Sequence, residues 1–136
     1  MAELNLEIIT PEKPVIKDQI ESVTVPGTLG SFQILKNHAP LISSFEVGLI
    51  KIKKQSTDSY YTTSGGTVEV NDNKVLVLAD SIEKIDEINA DRAKEALERA
   101  EERLKRKNEA DVDEARAKAA LDRALNRINA VKKFSH

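Results

Sequence analysis

The arginines of this 136-residue chain carry its clearest chemical signal, because all seven lie beyond residue 90 and fall into two rows with steps of three, four or seven residues, as on one face of a helix. A guanidinium presents a planar fork of five hydrogen-bond donors that matches phosphate and carboxylate groups. If two helices that carry these rows pack antiparallel, the rows converge on one polyanion, such as a nucleoside triphosphate, or meet an acidic surface of another protein. The first row is Arg92, Arg99, Arg103 and Arg106, and the second is Arg116, Arg123 and Arg127.

A simpler interpretation stays open for the same residues. Helical side chains four positions apart are neighbours, so Glu95 with Arg99, and Glu102 with Arg106, are spaced to form ion pairs on a solvated face. Such pairs would occupy the guanidinium groups that a bound anion needs.

The remaining chemical candidates point away from catalysis. His38 is the only histidine inside the chain, and no nucleophile pattern surrounds it, so a turn histidine bonded to the backbone is the prediction. The sequence Ser64-Gly65-Gly66 lacks the lysine of a phosphate-binding loop and precedes a β-prone segment, which predicts a tight β turn. We therefore expect no catalytic residues and no enzyme activity of its own.

Composition narrows the class of protein further. The chain has no cysteine, which excludes thiol chemistry, and only two histidines, which excludes a histidine-rich metal site. Its 21 basic and 23 acidic residues give a net charge of −2, which argues against a surface that is basic enough overall to bind nucleic acid. No apolar run approaches the roughly 20 residues that span a bilayer, so we expect no membrane insertion and no metal.

Two unlike halves must position these residues. Residues 1–80 hold all five glycines and all four prolines but 17 of the 44 charges, whereas residues 81–136 hold the other 27 charges and eleven alanines. Turn residues between alternating apolar segments indicate short strands, and Ala, Glu, Lys and Arg favour helices. The sequence predicts an α+β chain: an antiparallel β-sandwich or barrel over 1–82 and a two-helix antiparallel hairpin over 83–136.

The sequence of the helical half indicates where each helix begins. Asn89 is placed to cap a first helix. Asp111 is placed to start a second helix, with Glu114 three residues later as in a capping box. The two predicted seams repeat every three or four residues and are rich in alanine, which allows a close approach of the helices. The seams are Ala93, Leu97, Ala100 and Leu104 on the first helix, and Ala117, Leu121, Ala124, Ile128 and Val131 on the second.

An ordered set of segments, taken together, resembles the epsilon subunit of rotary F-type ATP synthases. No single segment decides the resemblance, but their order and spacing cover nearly the whole chain. The segments are residues 8–11, 30–34, 38–41, 47–50, 64–66, 75–79, 88–93, 98–100 and 123–127.

This resemblance implies a sandwich of about ten strands and a non-catalytic role in the central stalk. The sandwich would bind the gamma subunit and the rotor ring, coupling proton flow to ATP synthesis at the cytoplasmic face of the bacterial plasma membrane. Ser31 and His38 would face the ring and gamma, although many members carry glutamate at the position of Ser31. The extended hairpin would inhibit ATP hydrolysis by contacting the catalytic alpha and beta subunits through Arg116, Arg123 and Arg127.

Some members of this family bind ATP in the compact form, as a regulatory ligand and not as a required cofactor. Asn89 replaces the aspartate of the family motif, which removes a charged acceptor while preserving a helix cap. A stand-alone nucleotide-binding module and a helical-hairpin adaptor remain the alternative functions. Carried over residue by residue, the ATP site comprises Glu83, Ile88, Asn89, Arg92, Ala93, Arg99, Arg123 and Arg127.

Overall fold

The computed structural model describes residues 4–106 and 113–134 and divides the chain into two units, the first ending at Lys84 and the second beginning at Ile85. The first unit contains eight strands. They are β1 (Leu4–Ile9), β2 (Pro14–Ile20), β3 (Ser22–Gly27), β4 (Gly30–Leu35), β5 (Leu41–Lys54), β6 (Thr57–Asn71), β7 (Lys74–Ala79) and β8 (Ile82–Lys84).

The strands follow the order β2-β1-β7-β6-β5-β3-β4, with β8 paired to β6. Every pairing is antiparallel except that of β1 with β7, which is parallel. The predicted β-sandwich is confirmed, with eight described strands in place of about ten. One reason for the smaller number is that β6 is 15 residues long and continues through residues 64–66, where the sequence predicted a turn between two short strands.

The prediction that Ser64-Gly65-Gly66 forms a tight turn is wrong, since all three residues lie inside β6. Gly65 and Gly66 have φ values of 120° and 155° and lie opposite Glu46 and Phe45 of β5. A Cβ on Gly66 would come within 2.1 Å of the Leu78 carbonyl oxygen, so β7 can approach only a glycine here. The glycines therefore permit close strand packing within a continuous strand.

One apolar core fills the sandwich. Leu4, Leu6 and Ile8 of β1 are fully buried, and the residues between them point outward, which is the alternation expected of a strand with one buried face. Val68 and Val70 of β6 continue the same core. At about 25 cal/mol per Å² of apolar surface removed from water, this burial is the main force that holds the first unit together.

The second unit begins with a 3₁₀ turn over Ile85–Glu87, which packs against a helix later in the chain and buries Ile85. Two helices follow: α1 (Ala90–Lys105) and α2 (Glu114–Phe134). The predicted start at Asp111 lies outside the described residues, and within them α2 begins at Glu114. The Asp113 side chain accepts a hydrogen bond from the Arg116 N–H at 3.0 Å, as a helix cap does.

Alanines form the buried surface of the hairpin. The seam residues Ala93, Ala100, Ala117 and Ala124 are at most 2% exposed, whereas the seam leucines and Ile128 are only half-buried. Ala130 is buried too, although the predicted seam did not include it. Across the described ranges, neither helix combines the length and the apolar composition that a membrane-spanning helix requires.

Candidate functional site

A groove between α1 and α2 carries arginines from both helices. It consists of two adjoining cavities of about 610 and 300 Å³ that share Arg103 and Arg123. Residues of α1 meet those of α2 in opposite order along the groove, so the helices run antiparallel, as predicted. The arginines that line it, here called the arginine groove, are Arg99, Arg103, Arg106, Arg116, Arg123 and Arg127.

The floor of the arginine groove is made of alanine. Ala100, Ala117 and Ala124 are almost completely buried, while Arg99 and Arg123 are exposed on either side. Small residues beneath long cationic side chains leave room for a ligand that the guanidinium groups can reach. The alanine seam that the sequence predicted as a packing surface therefore also shapes this groove.

The charge of the described groove residues is strongly unbalanced. Among the lining residues that the structure describes, Asp113 is the one carboxylate, and its side chain accepts from the backbone N–H of Arg116. In the part of the chain that the structure describes, no carboxylate lies within ion-pair distance of Arg99, Arg103 or Arg123. The predicted Glu95–Arg99 pair is thus not formed. Among the described residues, an anion that binds these three guanidinium groups has no ion pair to displace.

The residues before and within the first turn of α1 form a separate cluster. The Asn89 side chain accepts a hydrogen bond from the Arg92 N–H at 3.0 Å, and the Asn89 carbonyl accepts from the Ala93 N–H at 3.0 Å, so Asn89 is the predicted N-cap. Ile88 is half-buried just before it and Ala93 is buried behind it. The seven-residue step from Arg92 to Arg99 is about 10 Å along a helix.

The eight predicted ATP-site residues therefore lie in three places. Ile88, Asn89, Arg92 and Ala93 surround the start of α1, while Arg99, Arg123 and Arg127 line the arginine groove. Glu83 lies on β8 in the first unit, where it is half-buried and pairs with Thr62 of β6. Arg103 and Arg106 also line the groove and were not in the predicted set, although their spacing had placed them with the first arginine row.

Ser31 and His38 lie at opposite ends of one edge strand. Ser31 is exposed at the beginning of β4, whereas His38 follows its end, where its N–H bonds the Leu35 carbonyl at 3.2 Å. The imidazole Nδ1 lies 2.7 Å from the Ala39 carbonyl, so His38 is the backbone-bonded turn histidine that the sequence predicted. A strand rises about 3.3 Å per residue, so the two residues mark an extended edge and not one compact site.

Large apolar side chains are exposed at both ends of this edge strand and on β5. Leu29 is fully exposed beside the start of β4, Leu35 is 52% exposed at its end, and Ile42 on β5 is 77% exposed. Single exposed apolar residues are ordinary, but several large ones on one sheet offer apolar surface that another protein can cover.

Two family models match consecutive parts of the chain. Residues 3–85 match the beta-sandwich domain, and residues 86–132 the long alpha-helix domain, of "ATP synthase, Delta/Epsilon chain". The ATP synthase epsilon chain of Nitratidesulfovibrio vulgaris strain DP4 is 46% identical over 125 residues, which is 92% of each chain. That of Symbiobacterium thermophilum is 42% identical and covers all of this chain and 98% of its own length. The chain belongs to the ATP synthase epsilon chain family.

A solved structure agrees with this family assignment at the level of the fold. A chain of the Euglena gracilis mitochondrial ATP synthase superposes with a TM-score of 0.80 at 20% identity, covering 96% of this chain and 82% of that chain. The sandwich and the helical hairpin that carries the arginine groove correspond to the two domains that the family models match. The match of separate models to them agrees with the change of composition near residue 81.

Proposed function

We propose that this epsilon chain is a non-catalytic subunit of the central stalk, which couples rotation of the gamma subunit and the rotor ring to ATP synthesis. The observation that carries this proposal is the match of both family models in sequence, together with relatives at 42–47% identity over more than nine-tenths of the chain. In this position the chain is peripheral, at the cytoplasmic face of the bacterial plasma membrane.

The edge marked by Ser31 and His38 is the proposed contact with the ring and gamma. Its support is the exposure of Leu29, Leu35 and Ile42, whose apolar surface gains free energy when a partner covers it. The serine at position 31 supplies a hydroxyl and no charge, so we expect this contact to depend on apolar area and hydrogen bonds and to respond only weakly to salt.

The helical unit is the proposed inhibitor of ATP hydrolysis. When extended, its Arg116, Arg123 and Arg127 would meet acidic residues of the catalytic alpha and beta subunits. The support is the second arginine row on α2, with Arg116 and Arg123 exposed. The same arginines line the groove of the compact hairpin, so an anion bound in the groove competes with this contact.

ATP is the proposed ligand of the compact form. Its triphosphate matches the unbalanced charge of the arginine groove, and Asn89 lies at the start of the helix that supplies Arg99. A neutral amide in place of a carboxylate loses a charge-assisted hydrogen bond, which contributes about 1.5–3 kcal/mol. Since a shift of populations from 1:99 to 99:1 requires roughly 10⁴-fold preference for one state, we expect ATP to bias the hairpin and not to control it alone.

The stalk role is tested by capture of the gamma subunit and rotor ring with the full-length chain. We expect saturable binding that weakens at least several-fold in Ile42→Ser. Leu78→Ser serves as the matched control, because Leu78 lies on another strand and is 47% exposed.

Inhibition is tested in the assembled synthase, where Arg116→Ala combined with Arg123→Ala should raise ATP hydrolysis. Unchanged hydrolysis would argue against inhibition by α2, and lack of capture would favour the stand-alone nucleotide-binding module or the adaptor.

Ligand binding is tested by calorimetric titration of ATP into the isolated chain. We expect weak saturable binding that is lost in Arg99→Ala. In Asn89→Asp the affinity should rise by about tenfold or more. Lys94→Ala, which removes an exposed cation of α1 outside the groove, should bind as the unsubstituted chain does. If no binding is seen up to millimolar ATP, the groove serves protein contacts only.

A further inference from the structure

Asn73 joins three separate segments of the sandwich. It lies in the turn between β6 and β7, and its carbonyl accepts a hydrogen bond from the Asn5 N–H at 2.9 Å. Its side-chain oxygen accepts from the Asn37 N–H at 2.6 Å, and its amide nitrogen donates to the Asn37 side-chain oxygen at 3.4 Å. The β6–β7 hairpin is thereby tied both to β1 and to the loop that follows β4.

Both asparagines have left-handed backbone conformations, with φ of 64° at Asn37 and 61° at Asn73. Glycine adopts this conformation most easily, and asparagine is among the few other residues that do so readily. Glycine would satisfy the backbone at either position but supplies no side chain. The side-chain oxygen of each asparagine accepts a hydrogen bond from the other residue, which glycine could not do. These hydrogen bonds account for asparagine, and not glycine, at both positions.

The loop that Asn73 holds is the one that carries His38. Asn37 directly precedes His38, whose own hydrogen bonds are to Leu35 and Ala39 of the same turn. These local bonds shape the turn, while the pair of asparagines attaches it to a hairpin 36 residues away. A loop that is already fixed loses less conformational entropy when a partner binds.

We propose that Asn37 and Asn73 are positioning residues, which hold the loop over residues 35–40 in the conformation that presents His38 to the rotor. This inference rests on the proposed function, in which the edge marked by Ser31 and His38 contacts the ring and gamma. It assigns a share of the affinity of that contact to the hydrogen bonds between an exposed asparagine, Asn37, and a half-buried one, Asn73.

The test measures the affinity of the full-length chain for the immobilised gamma–rotor-ring complex. Asn73→Gly preserves the left-handed backbone and removes the amide, and we expect binding about tenfold weaker. Asn73→Asp still accepts from the Asn37 N–H but cannot donate, so its affinity should be intermediate. Asp72→Gly is the matched control, because Asp72 is the neighbouring left-handed residue of the same turn, and it should bind like the unsubstituted chain.

A double-mutant cycle separates positioning from a general loss of stability. Asn37→Gly keeps the backbone N–H that donates to Asn73 and loses only the 3.4 Å bond, so it should weaken binding less than Asn73→Gly does. The double variant should be no weaker than Asn73→Gly, because that substitution already removes both bonds. Thermal unfolding should be nearly the same for Asn73→Gly and Asp72→Gly. Unweakened binding by Asn73→Gly, or additive losses in the double variant, overturns the positioning role alone. Failure of the unsubstituted chain to bind overturns the proposed stalk function, and this inference with it.

Discussion

Asp18 on the edge strand β2 and Lys54 at the end of β5 form a hydrogen-bonded ion pair. The two strands are not neighbours in the sheet, since β1, β7 and β6 lie between them in the strand order. The Asp18 side chain also accepts from the Gln19 N–H at 2.9 Å. The Asp18 carboxylate therefore connects the edge strand β2 to a strand four positions away in the sheet order, and it also accepts from a backbone N–H of the edge strand.

Stability should fall in acid through this pair. The hydrogen bond from Lys54, followed by that from the Gln19 N–H, lowers the pKa of Asp18 below its ordinary value, although burial acts weakly in the opposite direction. Because the unfolded chain takes up this proton at higher pH than the folded chain, the contribution is complete above about pH 5 and is lost as the pH falls through the lowered pKa.

Urea unfolding of Asp18→Asn beside the unsubstituted chain checks this expectation. The variant should be slightly less stable at pH 7, and the difference should close as the pH falls through the lowered pKa of Asp18. Asp72→Asn, which removes an exposed carboxylate from the turn between β6 and β7, serves as the control for net charge. A difference that stays constant with pH would contradict a role for the Asp18 carboxylate.

Loss of the α1 cap should weaken the helical unit. Asn89→Ala removes the acceptor for the Arg92 N–H, which typically destabilises a helix by about 1 kcal/mol. Asn89→Ser should restore most of the loss, because a hydroxyl also caps. Circular dichroism at 222 nm during thermal unfolding follows the helices, and equal melting of the alanine and serine variants would contradict capping by the side chain.

The alanine seam should tolerate no enlargement. Ala124 is 2% exposed between the helices, so Ala124→Leu must separate them, at a cost of about 1–3 kcal/mol. Ala119→Leu makes the same substitution on the exposed side of α2 and should have little effect. Thermal unfolding of both variants provides the comparison, and similar stabilities would mean that the helices are not closely packed at Ala124.

Gly66 of β6 should be harder to replace than Gly30 of β4. Gly66→Ala places a Cβ 2.1 Å from the Leu78 carbonyl oxygen and must displace β7. Gly30→Ala meets no atom within 4 Å and strains only its backbone, at φ of 122°. We therefore expect a moderate loss of stability for Gly30→Ala, about 1–2 kcal/mol, and a larger one for Gly66→Ala. The opposite order in urea unfolding would show that β7 adjusts easily.

The sequence predicted features that depend on local pattern. The change of composition near residue 81 was enough to give the fold class, and the polar residue before an amphipathic run located the cap at Asn89. The local pattern gave a wrong prediction at Gly65 and Gly66, which lie inside β6 and not in a turn. In a sequence, glycines that permit close strand packing cannot be told from glycines of a turn. It also missed β8, a three-residue strand that forms only through its pairing with β6.

The candidate site shows the same division. The arginine rows could be identified from spacing, and their convergence followed from antiparallel helices. The contact between Asn37 and Asn73 could not, because nothing in the sequence links two asparagines 36 residues apart. Whether the arginine groove binds ATP stays a prediction, as does the contact of Ser31 and His38 with the rotor.

The parallel pairing of β1 with β7 has a consequence for synthesis of the chain. Residues 5–9 pair with residues 74–78, so the first strand lies between β2 and a strand made almost seventy residues later. On the ribosome, β1 and β2 can form a hairpin early, but the sheet cannot close until β7 has emerged from the exit tunnel. Contacts of such long sequence separation slow folding. The sandwich should therefore finish folding only while the helical half is being translated. Until then the apolar face of β1 stays uncovered and can be bound by chaperones.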